Sequence, residues 1–127
     1  MHDQRHPRQH DELYLRYIRR QRCCLCGDDT TVEAAHLRVG SINDGKRPTG
    51  YGEKSSDKWA LPLCGRHHRE QHSMGEAAFW ASYGVNPFAL SMHYQADADD
   101  DPLIRALKAR GKDDALVRKL RQARERK

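Results

Sequence analysis

The sequence predicts a small α+β domain pinned by a structural metal, and three observations carry that prediction. Cys23-x2-Cys26 and Cys64-x2-His67 have the spacing of two metal knuckles. TTVEAAHL and KWALPLC, both rich in β-branched or apolar residues, read as two short strands. The second strand runs straight into CGRHHREQHSMG, which reads as a helix.

The chain has 127 residues, which makes one domain the default. Apolar residues are 37% and charged residues 32%, a thin core for this size. Small domains with little apolar surface often need a metal or disulfides to fold. Of the four cysteines, Cys23, Cys24 and Cys26 crowd into CCLC and Cys64 is remote. That is a poor disulfide framework and a good metal pattern. No apolar run suits a signal peptide or a membrane span, so the expected setting is a reducing cytoplasm without membrane contact. The net charge of +5 divides into +3 for residues 1–22, −1 for 23–94 and +3 for 95–127. A basic chain suits a polyanionic partner such as DNA, and here the positive charge lies on the flanks.

Residues 1–12 read as a disordered N-terminal tail. His2, His6 and His10 are spaced by four, but Pro7 opposes a continuous helix there. ELYLRYIRRQR has helical spacing, with Asp11 as a plausible N-cap. CCLCGDD is a turn hinged at Gly27, and the first strand ends near His36. Arg38 to Asp57 is a long loop rich in glycine and basic residues, the kind often kept for function. Gly75 ends or kinks the helix after Cys64. EAAFWASYG is another helical piece, with Phe79, Trp80 and Tyr83 as core; Gly84 and Pro87 break it. Residues 13–94 are thus the expected metal-stapled domain. Residues 95–102 read as an acidic linker and 103–127 as a basic helical tail. There is no internal repeat.

A structural zinc takes four tetrahedral ligands, usually Cys or His. Cys23, Cys26, Cys64 and His67 supply Cys3His, with 37 residues between the knuckles for a hairpin and its loop. Cys24 competes with Cys23 for the first position, and spacing favours Cys23. His68 and His72 share one helix face, about 100° around from His67, so one ion does not easily take all three. They read as a second metal pair; the plain alternative is a solvated pair on a surface helix.

Taken together, the C-x2-C knuckle, a strand-borne His36, WALPLC and C-x2-H-H-x3-H resemble the HNH endonucleases. The resemblance is strong over residues 23–72 and looser from Leu13 to Leu90. YIRRQRCCLCG, AAHLRVGS, SSDKWALPLC, RHHREQHSMGE and FWASYG look like a narrower phage and prophage group, one that includes the recombination-enhancement nuclease, which acts with a bacterial recombinase. The resemblance implies a ββα-metal, treble-clef-like domain with structural zinc and flanking helices. It implies His36 as general base, His68 and His72 as ligands of a catalytic divalent ion, and the Cys3His set as zinc ligands. Two positions depart from the pattern: Ala35 stands where an acidic residue often precedes the base, and Trp59 stands at the middle Asn. Asp57, two before Trp59, would share its face on a strand and complete a His2Asp catalytic site with His68 and His72.

The implied reaction is metal-assisted hydrolysis of DNA, leaving 5′-phosphate and 3′-hydroxyl. Mg²⁺ or Mn²⁺ would serve, and imidazole ligands also suit Ni²⁺ or Zn²⁺. Arg38, Lys46, Arg47, Lys54, Arg66 and Arg69 are the candidates for gripping phosphates. The implied partners are DNA and a host recombinase filament, in a bacterial or phage-encoded setting. The alternative is a catalytically inactive zinc-stapled module that binds DNA or a protein.

Overall fold

The computed structural model describes residues 10–40, 46, 56–111 and 122. Expectations that fall on residues 1–9, on Arg47 and Lys54, and on most of the basic tail lie outside the described residues. The order is α1 (Glu12–Arg19), β1 (Val32–His36), a 3-10 turn (Asp57–Trp59), β2 (Ala60–Cys64), α2 (Gly65–Met74), α3 (Glu76–Tyr83) and α4 (Pro87–Asp99). Residues 102–111 are helical as well. This is the expected α+β class, built on a two-stranded sheet. No helix among the described residues is long and apolar enough to cross a membrane.

β1 and β2 pair antiparallel, with Glu33 opposite Leu63, Ala35 opposite Leu61 and His36 opposite Ala60. Side chains alternate across a strand, so the ribbon has two faces. Ala35, Leu61 and Leu63 join Leu37, Trp59, Phe79 and Trp80 in one core, under α2 and α3. On the other face Ala34 packs against a second core of Tyr14, Tyr17, Ile18, Ala98 and Ile104. The thin apolar content is therefore divided between two small cores that share a two-stranded wall.

Local chemistry sets the boundaries. Asp11 caps α1 by accepting the Tyr14 N–H at 3.1 Å. Gly75, at φ +89°, separates α2 from α3, a conformation that side chains with a Cβ rarely adopt. Asn86 caps α4 through the Phe88 and Ala89 N–H groups, with Pro87 in the first helical position, where its missing N–H costs nothing.

Three expectations need correction. Asp11 and Glu12 do not belong to a disordered tail, because they start α1. Asp57 and Trp59 do not lie on the second strand: they form the 3-10 turn before it. Residues 95–102 are not a linker. Gln95 to Asp99 complete α4, Ala98 is 4% exposed within the second core, and Tyr17 donates its hydroxyl hydrogen bond to Asp97. Ile104, at the start of the expected tail, is buried in the same core. An acidic composition suggested solvent, but Ala98 at the end of α4 and Ile104 in the following helix both pack into the core that contains Tyr14, Tyr17 and Ile18 of α1.

If Ala98 is core, Ala98→Glu overpacks a closed site with a charge and should cost roughly 2–4 kcal/mol. Urea denaturation measures it; a change within about 0.5 kcal/mol, as for an ordinary surface substitution, would restore the linker.

Candidate metal centre and histidine clusters

The two knuckles close on each other. Cys23, Cys26, Cys64 and His67 place one ligand atom each within 4.8 Å of all the others, and among the described residues this is the one such group. Cys26 Sγ lies 3.9 Å from Cys64 Sγ, and His67 Nδ1 lies 3.6 Å from Cys23 Sγ and 3.2 Å from Cys64 Sγ. A tetrahedron with zinc–sulfur bonds of about 2.3 Å has edges of about 3.8 Å, so the set could hold a structural ion such as zinc. Local structure explains the fit. The Gly27 N–H returns to the Cys23 carbonyl at 2.9 Å, which closes the first knuckle as a tight turn. Cys64 ends β2 and is the N-cap of α2, so His67 follows on the first helical turn. Tyr83 from α3 packs edge-on against the His67 ring.

The competition between Cys23 and Cys24 is decided here. Burial opposes ionisation of Cys23, but hydrogen bonds from the Cys64, Leu25 and Cys26 main chain and from the Cys26 thiol outweigh it and bring the thiol down to about 6. The Cys24 thiol is pushed up to about 12, by burial first and then by the neighbouring Cys23. Cys23 belongs to the four-residue group, while Cys24 lies outside it, packed partly buried against the core.

A second cluster forms at the end of β1. His36 Nε2 lies 2.8 Å from Asp57 Oδ1. Asp57 is fully buried. Its Oδ2 accepts the Asp11 N–H at 2.6 Å and faces His10 Nδ1 at 2.9 Å. A buried carboxylate is costly unless paired, and these neighbours do the pairing. The turn that carries Asp57 is held from behind: Ser91 and Gln95 of α4 both donate to the Lys58 carbonyl, at 2.8 and 2.9 Å. The 3-10 turn, in place of strand, sets Asp57 beside His36. Trp59, at the expected Asn position, is a core residue packed edge-on to Phe88.

The third cluster is on α2. His68 and His72 stack with ring centroids 4.8 Å apart, as their i, i+4 spacing requires. His68 Nδ1 is 2.7 Å from Glu33 Oε1. By alternation Glu33 lies on the α2 face of the ribbon and His36 on the α1 face. α2 runs along β1 toward the His36 end. Its first residue, Gly65, donates to the Thr31 carbonyl, His68 meets Glu33, and Glu76, just past its end, accepts the Arg38 and Val39 N–H groups at 2.9–3.0 Å. The helix thus runs alongside β1 in the same direction, and His72 falls at the level of Ala35 to Leu37, the end where His36 stands. Sequence reasoning missed Glu33 and set His10 aside; no spacing rule marks either, since each meets its partner through the tertiary fold.

Of the phosphate-gripping candidates, Arg38, Arg66 and Arg69 are exposed. Lys46 is 5% exposed, so its ammonium is not displayed on the surface as expected.

Comparison with known proteins adds a family. The chain belongs to the family described as "Protein of unknown function (DUF968)", which matches residues 1–97. It is also 34% identical over 73 residues to "Uncharacterized protein YdfU" of Escherichia coli (strain K12). That match covers 58% of this chain but 19% of the relative, so the chain spans about a fifth of that protein. No solved structure matches.

A structural zinc contributes on the order of 10–16 kcal/mol, comparable to or above the whole stability of a small domain. Chelation should therefore unfold the protein. Cys64→Ala should lose both zinc and fold, while Cys24→Ala should keep both; elemental analysis with circular dichroism reads the two.

Proposed function

We propose that the chain is a metal-dependent DNA endonuclease of the HNH, ββα-metal type, with the treble-clef-like zinc-stapled arrangement that the sequence resembles. One observation carries the reading: His36, at the end of β1, is held through Nε2 by the buried carboxylate of Asp57. A carboxylate at Nε2 keeps the proton there and leaves the Nδ1 lone pair to act as base. His36 remains partly exposed, so water and a phosphate can reach it.

In this reading His36 Nδ1 takes a proton from water, and the hydroxide attacks phosphorus in line. Asp57 keeps the ring oriented and offsets the positive charge the imidazole gains, a role that replaces the metal-ligand role expected for it. A divalent ion, Mg²⁺ or Mn²⁺, held by His68 and His72 would offset charge on the scissile phosphate and the leaving 3′ oxygen. The products carry 5′-phosphate and 3′-hydroxyl. Exposed Arg66 and Arg69 on α2 supply salt-sensitive contacts to the DNA backbone. A phage recombination setting, with a recombinase filament as partner, follows from the sequence resemblance alone.

A binding module that no longer cuts is the second reading. It is favoured by Ala35, which is 1% exposed in the core and brings no ligand to the α2 face.

The test is cleavage of supercoiled plasmid and single-stranded circular DNA with Mg²⁺ or Mn²⁺. His36→Ala, checked for zinc content, should lose activity by about 10²–10⁴-fold, and Asp57→Asn by a smaller factor, since the ring survives but its orientation does not. No cleavage by wild type with any divalent ion, on bare or recombinase-coated DNA, would leave the binding module.

A further inference from the structure

Glu33 has no part in the nuclease pattern, yet it is the side chain that His68 meets. The 2.7 Å contact runs from Glu33 Oε1 to His68 Nδ1. An ionised carboxylate only accepts, so Nδ1 carries the hydrogen and the lone pair is left on Nε2, the far edge of the ring. Histidines that hold metal ions commonly donate their other ring N–H to a carboxylate in this way.

Two features show why the carboxylate can stand there. In the β1–β2 register Glu33 pairs with Leu63, on the same face as Ala35 and Leu61, one pleat before the alanine that offers no ligand. Below it, Gly65 opens α2 without a side chain. A Cβ at Gly65 would lie 3.1 Å from Glu33 Oε2 and 3.2 Å from Arg69 Nη1. The missing Cβ leaves the space into which the Glu33 carboxylate and the Arg69 guanidinium converge. His72, one turn beyond, stacks its ring on His68 with planes 36° apart.

We infer that Glu33 is a positioning residue: it locks His68 in the Nδ1–H tautomer so that Nε2, together with the His72 ring, is presented to a divalent cation. The cation's purpose rests on the nuclease reading above. The tautomer rests on the Glu33–His68 contact.

The experiment uses the full zinc-loaded chain, with zinc content as the folding control. Long-range ¹H–¹⁵N spectra at about pH 8, where neutral imidazole dominates, report the His68 tautomer. Electron paramagnetic resonance reports Mn²⁺ affinity. Wild type should show Nδ1–H at His68. Glu33→Ala should shift it toward Nε2–H and weaken Mn²⁺ binding by about 10–100-fold. Glu33→Gln, whose amide oxygen still accepts, should keep the tautomer and lose less affinity. An unchanged His68 tautomer in Glu33→Ala overturns the proposal, as does unchanged Mn²⁺ affinity in that variant when His68→Ala has lost it. If wild type binds Mn²⁺ no better than His68→Ala, the catalytic-ion reading fails and the presented cation fails with it. A tautomer that still answers to Glu33 identifies that second kind of failure.

Discussion

Closure of one knuckle on the other is the constraint from which the remaining geometry follows. Cys23 and Cys26 belong to a turn before β1, and Cys64 and His67 to the junction of β2 and α2. Bringing their four ligand atoms together shuts the loop that contains the whole hairpin. It also sets the direction in which α2 leaves the sheet, because Cys64 is the last strand residue and the helix cap at once. The Cys24 N–H adds a 3.0 Å bond to the Pro62 carbonyl, tying the first knuckle to β2 as well. With so little apolar surface, two small cores leave a thin margin, and an ion held by the four side chains would add on the order of 10–16 kcal/mol.

The direction of α2 then orders the histidines. A helix advances 1.5 Å per residue and a strand about 3.3 Å, so α2 passes β1 slowly. Gly65, His68 and Glu76 meet Thr31, Glu33 and Arg38 in turn. His67 faces inward to the thiolates while His68 and His72 face the outer edge. One helix thereby carries His67 of the Cys3His group and the outer His68–His72 pair on different faces.

Asp57 shows a different economy. Its carboxylate is sealed from water, yet it sits between the N-terminus of α1, His10 and His36. The turn that carries it is pinned by Ser91 and Gln95 from α4. Elements from both ends of the described chain therefore converge behind one imidazole. In a low-dielectric setting such a carboxylate orients its partner strongly, because no water competes for its oxygens.

Local spacing by itself determined much of this protein. Cys-x2-Cys and Cys-x2-His name four ligands because a knuckle turn points both its side chains one way. His68 and His72 are four apart, so any helix puts them on one face. Asp11, Gly27 and Gly75 mark their boundaries through capping and left-handed geometry. The α+β class and the end of β1 at His36 were legible for the same reason: each depends on neighbours in sequence. The tertiary structure decided the rest. It put Asp57 on a turn against His36, and α4, whose last residues an acidic composition disguised as a linker, grips that turn. It placed Glu33 under His68 and Ala98 under α1. Those pairings join residues 21, 35 and some 80 positions apart. No periodicity encodes a contact across such distances; it exists only once the knuckles have closed and the helices have docked.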